Sequence, residues 1–435
     1  MKQVRTGINS SIGKTASFVL VLSILNTINY MDRALMAILA QPVKKDLQLT
    51  DVEIGLLSGF AFALVYSLLA LPLSRFIDRG NHKIVIAVST GVWSIMTTLG
   101  GFAHNFWTLV IMRVGVAIGE AGLHPASHSL ISLRLPPSSR GRALAVFAVG
   151  LPIGVALGSI FGGWLTDSHG WRAAFLVLGP VGLLMLPLIL LFVPSTKSNL
   201  GVQGEGPAHS NAADLLPAIR TLWKDPVFRY LFIGQAIVSM FGFALTTFVG
   251  AFFMRVHGWT ALEAGSFIAI ANGFGGSVGL LAGGAIFDLG MKKWPAHALF
   301  PVAVALFISG ICASLGWLSP YAQVSAACGG VAAFFYLVAT VPTVAMAQTI
   351  AAPNMRATAS ALITLSASLL GATAGPLLAG AISDLLTPGF GPRAIAWALS
   401  IVSAMQIVGA FFYWQANREY AARLKQPEMP GQVTA

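Results

Sequence analysis

Charge is scarce in this chain: Asp, Glu, Lys and Arg together make up 9% of its 435 residues. A soluble domain carries roughly a quarter charged residues, so an ordinary water-facing surface is excluded. Only two cysteines are present, Cys312 and Cys328, both inside apolar runs. They read as reduced, small buried residues, and no disulfide framework is expected. Neither Cys nor His falls at metal-ligand spacing, which leaves a metal centre without support. A Gly-x4-Gly-Lys-Ser/Thr loop is also missing, so an ATP-driven pump is disfavoured. Gly275-Gly276-Ser277-Val278-Gly279 matches the G-x-S-x-G pattern of hydrolases, but it lies in an apolar helix rather than a strand-to-helix turn. Its Gly275, Gly279 and Gly283 recur every fourth residue, the spacing of close helix packing. With no nucleophile and base at mid-membrane, the chain is not expected to be an enzyme.

Apolar runs fill the space that charge leaves, since 56% of residues are hydrophobic. Windows of about 20 apolar residues, broken by charge or by Pro and Gly, give twelve spans. They lie near 16–40, 52–75, 83–104, 106–130, 143–166, 172–194, 228–254, 260–287, 296–318, 321–350, 357–385 and 393–415. The first run is too long for a signal peptide and has no small-residue cleavage site behind it, so it is expected to stay in the mature protein.

A net charge of +11 raises the question of nucleic acid, but the basic residues are sorted by loop. With the N-terminus inside, the inner segments collect Lys2, Arg5, Lys14, Arg75, Arg79, Lys83, Arg134, Arg140, Arg142 and the later cations through Lys425. The outer loops keep Lys44, Lys45, Arg172, Arg255 and Arg393. This is the positive-inside bias expected of an inner-membrane protein with both termini cytoplasmic. The charge reports orientation and contact with anionic membrane lipid, with no nucleic acid partner. Trp414 to Lys425 reads as an interfacial helix that turns Arg418, Arg423 and Lys425 toward lipid head groups.

The sequence also repeats. Gly154, Gly158, Gly163 and Asp167 align at one constant offset with Gly371, Gly375, Gly380 and Asp384. Asp78 and Asp288 close the second and eighth spans, each with a basic residue four or five places later. Between the halves, 195–226 is polar and reads as a linker. The expected organisation is an N-terminal six-helix bundle at 1–194, a cytoplasmic linker at 195–226, a C-terminal six-helix bundle at 227–416 and a cytoplasmic tail at 417–435. Duplicated bundles around a central site are the architecture of rocker-type secondary transporters.

Asp32 and Arg33 lie deep in the first span, where a charge costs about 2.5 to 3.5 kcal/mol on insertion scales and normally marks a substrate or proton path. In span four, Arg113 and Glu120 are seven residues apart, which puts them about 20° apart on one face and roughly 10 Å apart along the axis. His124 continues that face. Counted from the outer ends of their spans, Asp32 and Arg113 share a depth of about 12 Å and are expected to pair. Glu120 lies deeper with no Lys or Arg read beside it, so desolvation would favour its neutral form. The expected roles are Glu120 and Asp32 as proton carriers and Arg113, with Arg33, Glu120 and Asp32, at the substrate. His124 is a possible relay. Permanent packing salt bridges are the structural alternative. No cofactor is expected, the proton gradient supplying the drive.

Asp78-Arg79-Gly80-Asn81-His82-Lys83 resembles the signature loop of the major facilitator superfamily, with Ser74 and Asn81 where Gly is usual. Asn29-Tyr30-Met31-Asp32-Arg33, Arg113 to Glu120-Ala121, and Arg140-Gly141-Arg142 followed by Gly150-Leu151-Pro152-Ile153-Gly154 are similar to its Spinster branch. The resemblance implies an all-α, twelve-helix membrane fold and alternating-access transport of lysophospholipids or sphingolipids by a monomer. It also implies gating by Asp78 and Arg79, with Arg142 or the end of span eleven as the partner read for them. Tyr-x-Asp-Arg in span one and Arg-x6-Glu in span four also look like the organic anion/proton symporters, which carry sugar acids. A lipophilic-drug exporter and a non-transporting lipid sensor are the further alternatives. A lipid is favoured by Phe241, Phe243, Phe248, Phe252, Phe334, Phe335 and Tyr336 as an apolar wall for an acyl chain. The interior polar groups of spans seven to twelve are sparse: Gln235, Asn272 and Gln348.

Overall fold

The fold is all helix. The computed structural model describes the backbone of residues 2–78, 80–195 and 212–425, and among these no strand is present. Nine stretches of the described residues are long and apolar enough to cross a membrane, the last being Thr358–Lys425. That stretch holds two of the sequence-read spans, joined at Gly391, whose φ of +55° takes the chain out of one helix and into the next. The spans read at 16–40 and 52–75 lie in the helix Lys2–Leu47 and in the helical run at 51–78. All twelve spans are therefore helical, and the chain is an integral membrane protein.

Connections are short on the side of the turn at Gln48. Gly170, at φ +83°, separates His169 at the end of span five from Trp171 at the start of span six. Three spans carry a π-helical turn: Leu56–Phe60 in span two, Ala269–Gly275 in span eight and Ser366–Gly371 in span eleven. Such turns insert an extra residue into the α-ladder and are most often found at functional sites.

Two compact units are present. The first comprises Met1–Gly204, Leu245–Phe274 and Pro376–Ile395; the second comprises Glu205–Ala244, Gly275–Gly375 and Ala396–Ala435. This division does not follow the chain halves 1–194 and 227–416, because spans seven, eight and eleven each pass from one unit to the other along their length. In spans eight and eleven the passage falls at or just after the π-helical turn. The core of the first unit is built on Leu22, Leu25, Ile86, Trp93, Leu123 and Leu130. That of the second is built on Phe228, Leu231, Leu299, Val302, Met346 and Tyr413.

The linker is not wholly loop. Residues 196–211 lie outside the described residues, but Ala212–Lys224 is a helix whose Leu222 is buried in the second core. At the other end the Ala394–Lys425 helix continues into the segment read as a tail, as far as Lys425. Cys312 and Cys328 are free thiols, half-buried rather than buried. The repeated glycines are packing positions: any side chain at Gly154 or Gly158 would meet the backbone of span one at Thr27 or Met31, and at Gly375 the backbone at Met240. Gly279 and Gly283 lie likewise against the backbone of Phe334 and Val338, which confirms packing for the G-x-S-x-G stretch.

Candidate functional site

The mid-membrane charges meet in the first unit as two ion pairs that cross between spans one and four. Asp32 and Arg33 are neighbours on one helix, so their side chains diverge by about 100° and meet different partners. Arg113 Nη1 lies 4.0 Å from Asp32 Oδ2, and Thr97 Oγ1 donates to Asp32 Oδ1 at 2.7 Å. Glu120 is not without a cation as the sequence suggested, because Arg33 Nε donates to its Oε2 at 2.6 Å. The reason is register: the sequence places Arg33 one residue past Asp32 but does not say which face of span four it meets.

Arg33 is also held by rings. Its guanidinium carbon lies 5.4 Å from the Tyr30 centroid, 5.0 Å from Phe62 and 5.1 Å from Tyr66. Phe62 shares its face with Arg113 at 5.4 Å. These are cation–π distances. Phe62, Tyr66 and Thr97 were missed by sequence reasoning, and Tyr30 was read only as part of a motif, because neither a ring nor a hydroxyl in a membrane span carries a signal of its own until a charge is placed beside it.

The cluster retains unused hydrogen-bonding capacity. Asp32 Oδ2, Arg33 Nη2, Arg113 Nε and Nη1, Glu120 Oε1 and both amide atoms of Asn29 are buried without a hydrogen-bond partner. A buried polar atom left unpaired costs about 1 to 3 kcal/mol, so several gathered in one place form a site that favours a polar ligand.

His124 lies just beyond a break in span four. Span four is interrupted straight after Glu120, the helix Phe106–Glu120 giving way at Ala121 and Gly122 to a second helix, Leu123–Arg134. Pro125 explains the break, since it has no N–H to offer the carbonyl of Ala121. His124 packs edge-on to Tyr30, one of the rings around Arg33, and to His128 and Phe147, at 5.7, 6.5 and 5.9 Å. Neither of its ring nitrogens has a partner. Of the gating residues, Arg79 and the Asp78 side chain lie outside the described residues, while Arg142 is exposed on the helix Pro137–Ala148.

A second charged cluster, also in the first unit, was not read from the sequence. Asp51, fully buried, receives Lys44 Nζ at 2.6 Å, Arg255 at 2.8 and 2.9 Å, and the Ser383 hydroxyl at 2.6 Å. Arg255 also donates to Gln41 Oε1 at 2.7 Å. Burial alone would push the Asp51 carboxyl up, but the bonds from Arg255, Lys44 and Ser383 outweigh it and draw it down to about 2. The backbone N–H groups of Asp51 and Val52 donate to the two oxygens of Asp384, each at 2.9 Å. The repeat supplies a counterpart: Ala261 and Leu262 donate to the two oxygens of Asp167 at 2.9 and 2.8 Å. Lys44, Arg172 and Arg255, three of the five cations assigned to the outer loops, are taken up in ion pairs here, Arg172 with Asp46 at 2.6 Å.

The aromatic wall is only partly open. Phe241, Phe248 and Phe252 are fully buried core residues, while Phe243 is exposed and Phe334, Phe335 and Tyr336 are half-buried. In the second unit Gln235 is tied into a buried chain. Its amide donates to Ser239 at 2.9 Å, its carbonyl accepts from the Tyr413 hydroxyl at 2.8 Å, and Tyr413 meets Thr343 at 2.7 Å.

Known proteins match across most of the chain. The Major Facilitator Superfamily profile covers residues 22–372. An MFS-type efflux pump of Mycolicibacterium smegmatis is 36% identical over 92% of this chain and 92% of its own length. A probable galactarate/D-glucarate transporter of Bacillus subtilis is 29% identical over 63% of this chain and 65% of its own. Among solved structures, a bacterial homologue of the human lysosomal transporter Spinster, in an inward-facing and unoccupied conformation, is similar with a TM-score of 0.85. Its identity is 26%, covering 95% of this chain and 99% of that one.

Proposed function

Because the chain belongs to the Major Facilitator Superfamily, in its Spinster-like branch, we propose that it is a proton-coupled, alternating-access transporter of an amphipathic lipid with an anionic head group. The observation that carries this reading is the crossed pair of ion pairs, Asp32 with Arg113 and Arg33 with Glu120. A proton taken by Asp32 removes the charge that holds Arg113, and one taken by Glu120 releases Arg33. Either guanidinium can then accept a phosphate or carboxylate, for which its planar fork is suited. Loss of the protons on the other side of the membrane restores the pairs and expels the head group. The carboxylates and the head group thus compete for the same cations, a proton on the carboxylate favours the head group, and that linkage is the coupling.

The rings around Arg33 leave an apolar border on which the first carbons of a chain can rest. A sugar acid would instead need hydroxyl partners over its whole surface, and the Gln235–Ser239–Tyr413–Thr343 chain spends its polar groups on itself. A lipophilic-compound exporter is the second reading, supported by the identity to the mycobacterial efflux pump over nine-tenths of both chains.

The charge sorting supports cytoplasmic termini in an inner membrane. On that orientation we assign the Asp51–Arg255–Asp384 cluster the role of an outer gate, with Asp78, Arg79 and Arg142 on the inner side. The test is a panel of lysophospholipids, sphingoid bases, lipophilic cations and sugar acids added to proteoliposomes that enclose a pH dye. Proton movement with the lipids supports the proposal; movement with sugar acids alone overturns it in favour of an anion symporter. Binding of lipid without any flux would assign the protein as a sensor.

A further inference from the structure

A cavity of about 880 Å³ lies in the second unit, away from the charged residues of span one. It is formed where the end of span eight, the turn at Trp294–Leu299 and the start of span nine face the last turns of the Ala394–Lys425 helix. The junction is fixed from behind by buried Asn417, whose Oδ1 accepts the N–H of Leu299 at 3.1 Å. Gly290 passes close to the backbone of Ala298.

The lining divides into two chemistries. Ile286, Leu289, Phe300 and Trp414 form an apolar wall, each more than a third exposed. Trp294, 60% exposed, stands at its edge, and tryptophans at helix ends mark the depth of lipid head groups. The polar rim is cationic. Arg418 lies over the Trp414 ring at 4.9 Å, Lys425 and His297 line the same opening, and Lys293 lies 5.9 Å over Trp294. Among the described residues no Asp or Glu lines the cavity. Arg423, the remaining cation of the last turns, is already paired with Asp225 at 2.7 Å. Among the described residues neither Arg418 nor Lys425 has an ion-pair partner.

We propose that this cavity binds one anionic phospholipid, its phosphate between Arg418 and Lys425 and its acyl chains along Ile286, Leu289, Phe300 and Trp414. An apolar wall next to unpaired cations at head-group depth fits a molecule that is anionic at one end and apolar at the other. Free phosphate would leave the wall uncovered. A zwitterionic lipid would bring its own cation toward Arg418 and Lys425. The site depends only on the chain crossing a membrane, not on the identity of the transported substrate.

The experiment is native mass spectrometry of the delipidated full-length protein with phosphatidylglycerol and phosphatidylcholine of matched chains. The expected result is preferential binding of phosphatidylglycerol that weakens roughly fivefold for each cation removed in Arg418→Gln and in Arg418→Gln with Lys425→Gln. Equal binding of the two lipids, or a preference that survives the double substitution, would overturn the proposal. Displacement of the lipid by excess inorganic phosphate would also overturn it, assigning an anion site without a lipid wall. In the unsubstituted protein, a phosphatidylglycerol with a photoreactive acyl chain should label peptides within 286–301 and 414–425. Labelling confined to other peptides contradicts the site, whatever the variants do.

Discussion

Asp167 and Asp384, repeat partners at the ends of spans five and eleven, do the same thing to two different helices: each accepts the first two backbone N–H groups of the span opposite, Ala261 and Leu262 for one, Asp51 and Val52 for the other. The N-terminal turn of a helix leaves its N–H groups without internal partners and carries partial positive charge. A carboxylate placed there makes charge-assisted bonds worth more than neutral ones. Gly163 and Gly380, four residues earlier in each span, allow the approach: a side chain at either would strike the backbone at Ala261 or Asp51.

Asp167→Asn and Asp384→Asn should therefore each loosen one clasp, and the double substitution both. Each is expected to lower stability by about 1 to 3 kcal/mol, with the two effects close to additive because they share no partner. Thermal midpoints of the three variants in one detergent check this. A double variant as stable as the parent would mean that the clasps contribute nothing.

The pH response of the Asp51 cluster follows from its ionisation. The carboxyl is held at about 2, below its ordinary value of 3.8. Its stabilising contribution is thus complete above pH ~4 and is lost only as the pH falls toward 2. Between pH 5 and 8 Asp51 should therefore stay ionised. Asp51→Asn is expected to shift the conformational bias, read by the rate at which a thiol reagent labels Ala37→Cys on span one, and to leave the pH profile of transport where it was. A profile that moves with Asp51→Asn would place a coupling proton at the gate.

The Arg33–Glu120 bond links a fully buried carboxylate to a guanidinium whose side chain is 27% exposed. Truncating one partner leaves the other charge without compensation, at a cost of about 3 to 5 kcal/mol for a buried pair. Arg33→Ala and Glu120→Ala should each lower the thermal midpoint substantially, and the double substitution should cost clearly less than the two together. Strict additivity would show that the two groups do not sense each other.

Much of this was legible in the sequence. Twelve spans followed from run length, and the repeat of Gly158 and Gly375 followed from spacing. The depth count brought Asp32 and Arg113 together, because rise per residue is a property of any helix. What one helix cannot report is its rotation against its neighbours, and so Arg33 went unpaired with Glu120. The break after Glu120 was signalled by Pro125 and Gly122, which a continuous apolar count passes over. Thr50-Asp51-Val52-Glu53 and Thr260-Ala261-Leu262-Glu263 both carry the T-x-x-E capping pattern, and the structure completes both boxes. That pair of motifs was the available signal for the clasped helices. The meeting of Lys44, Arg255 and Ser383 on Asp51 joins distant segments, and nothing local announces it.

Gly158→Leu and Gly375→Leu test the packing half of the account. Each glycine faces backbone rather than a movable side chain, at Met31 and Met240 respectively, so the helices must separate. Overpacking of this kind costs about 1 to 3 kcal/mol or more. Both variants should lose transport while still inserting in the membrane, checked by uptake alongside protein recovered from membranes. Full activity in either would show that the contact is dispensable.

The central claim is that an anionic lipid head group competes with Asp32 and Glu120 for Arg113 and Arg33, and that protonation of those carboxylates favours the head group. It is tested most directly in proteoliposomes by measuring lysophospholipid-driven proton movement and lysophospholipid flux together, in the parent protein and in Glu120→Gln. The expected result is that Glu120→Gln still binds and exchanges the lipid but moves fewer protons with it, so that an imposed pH gradient drives less accumulation, and that adding Asp32→Asn abolishes it. Proton-driven accumulation that persists unchanged in Glu120→Gln, and again in Asp32→Asn, would contradict the account.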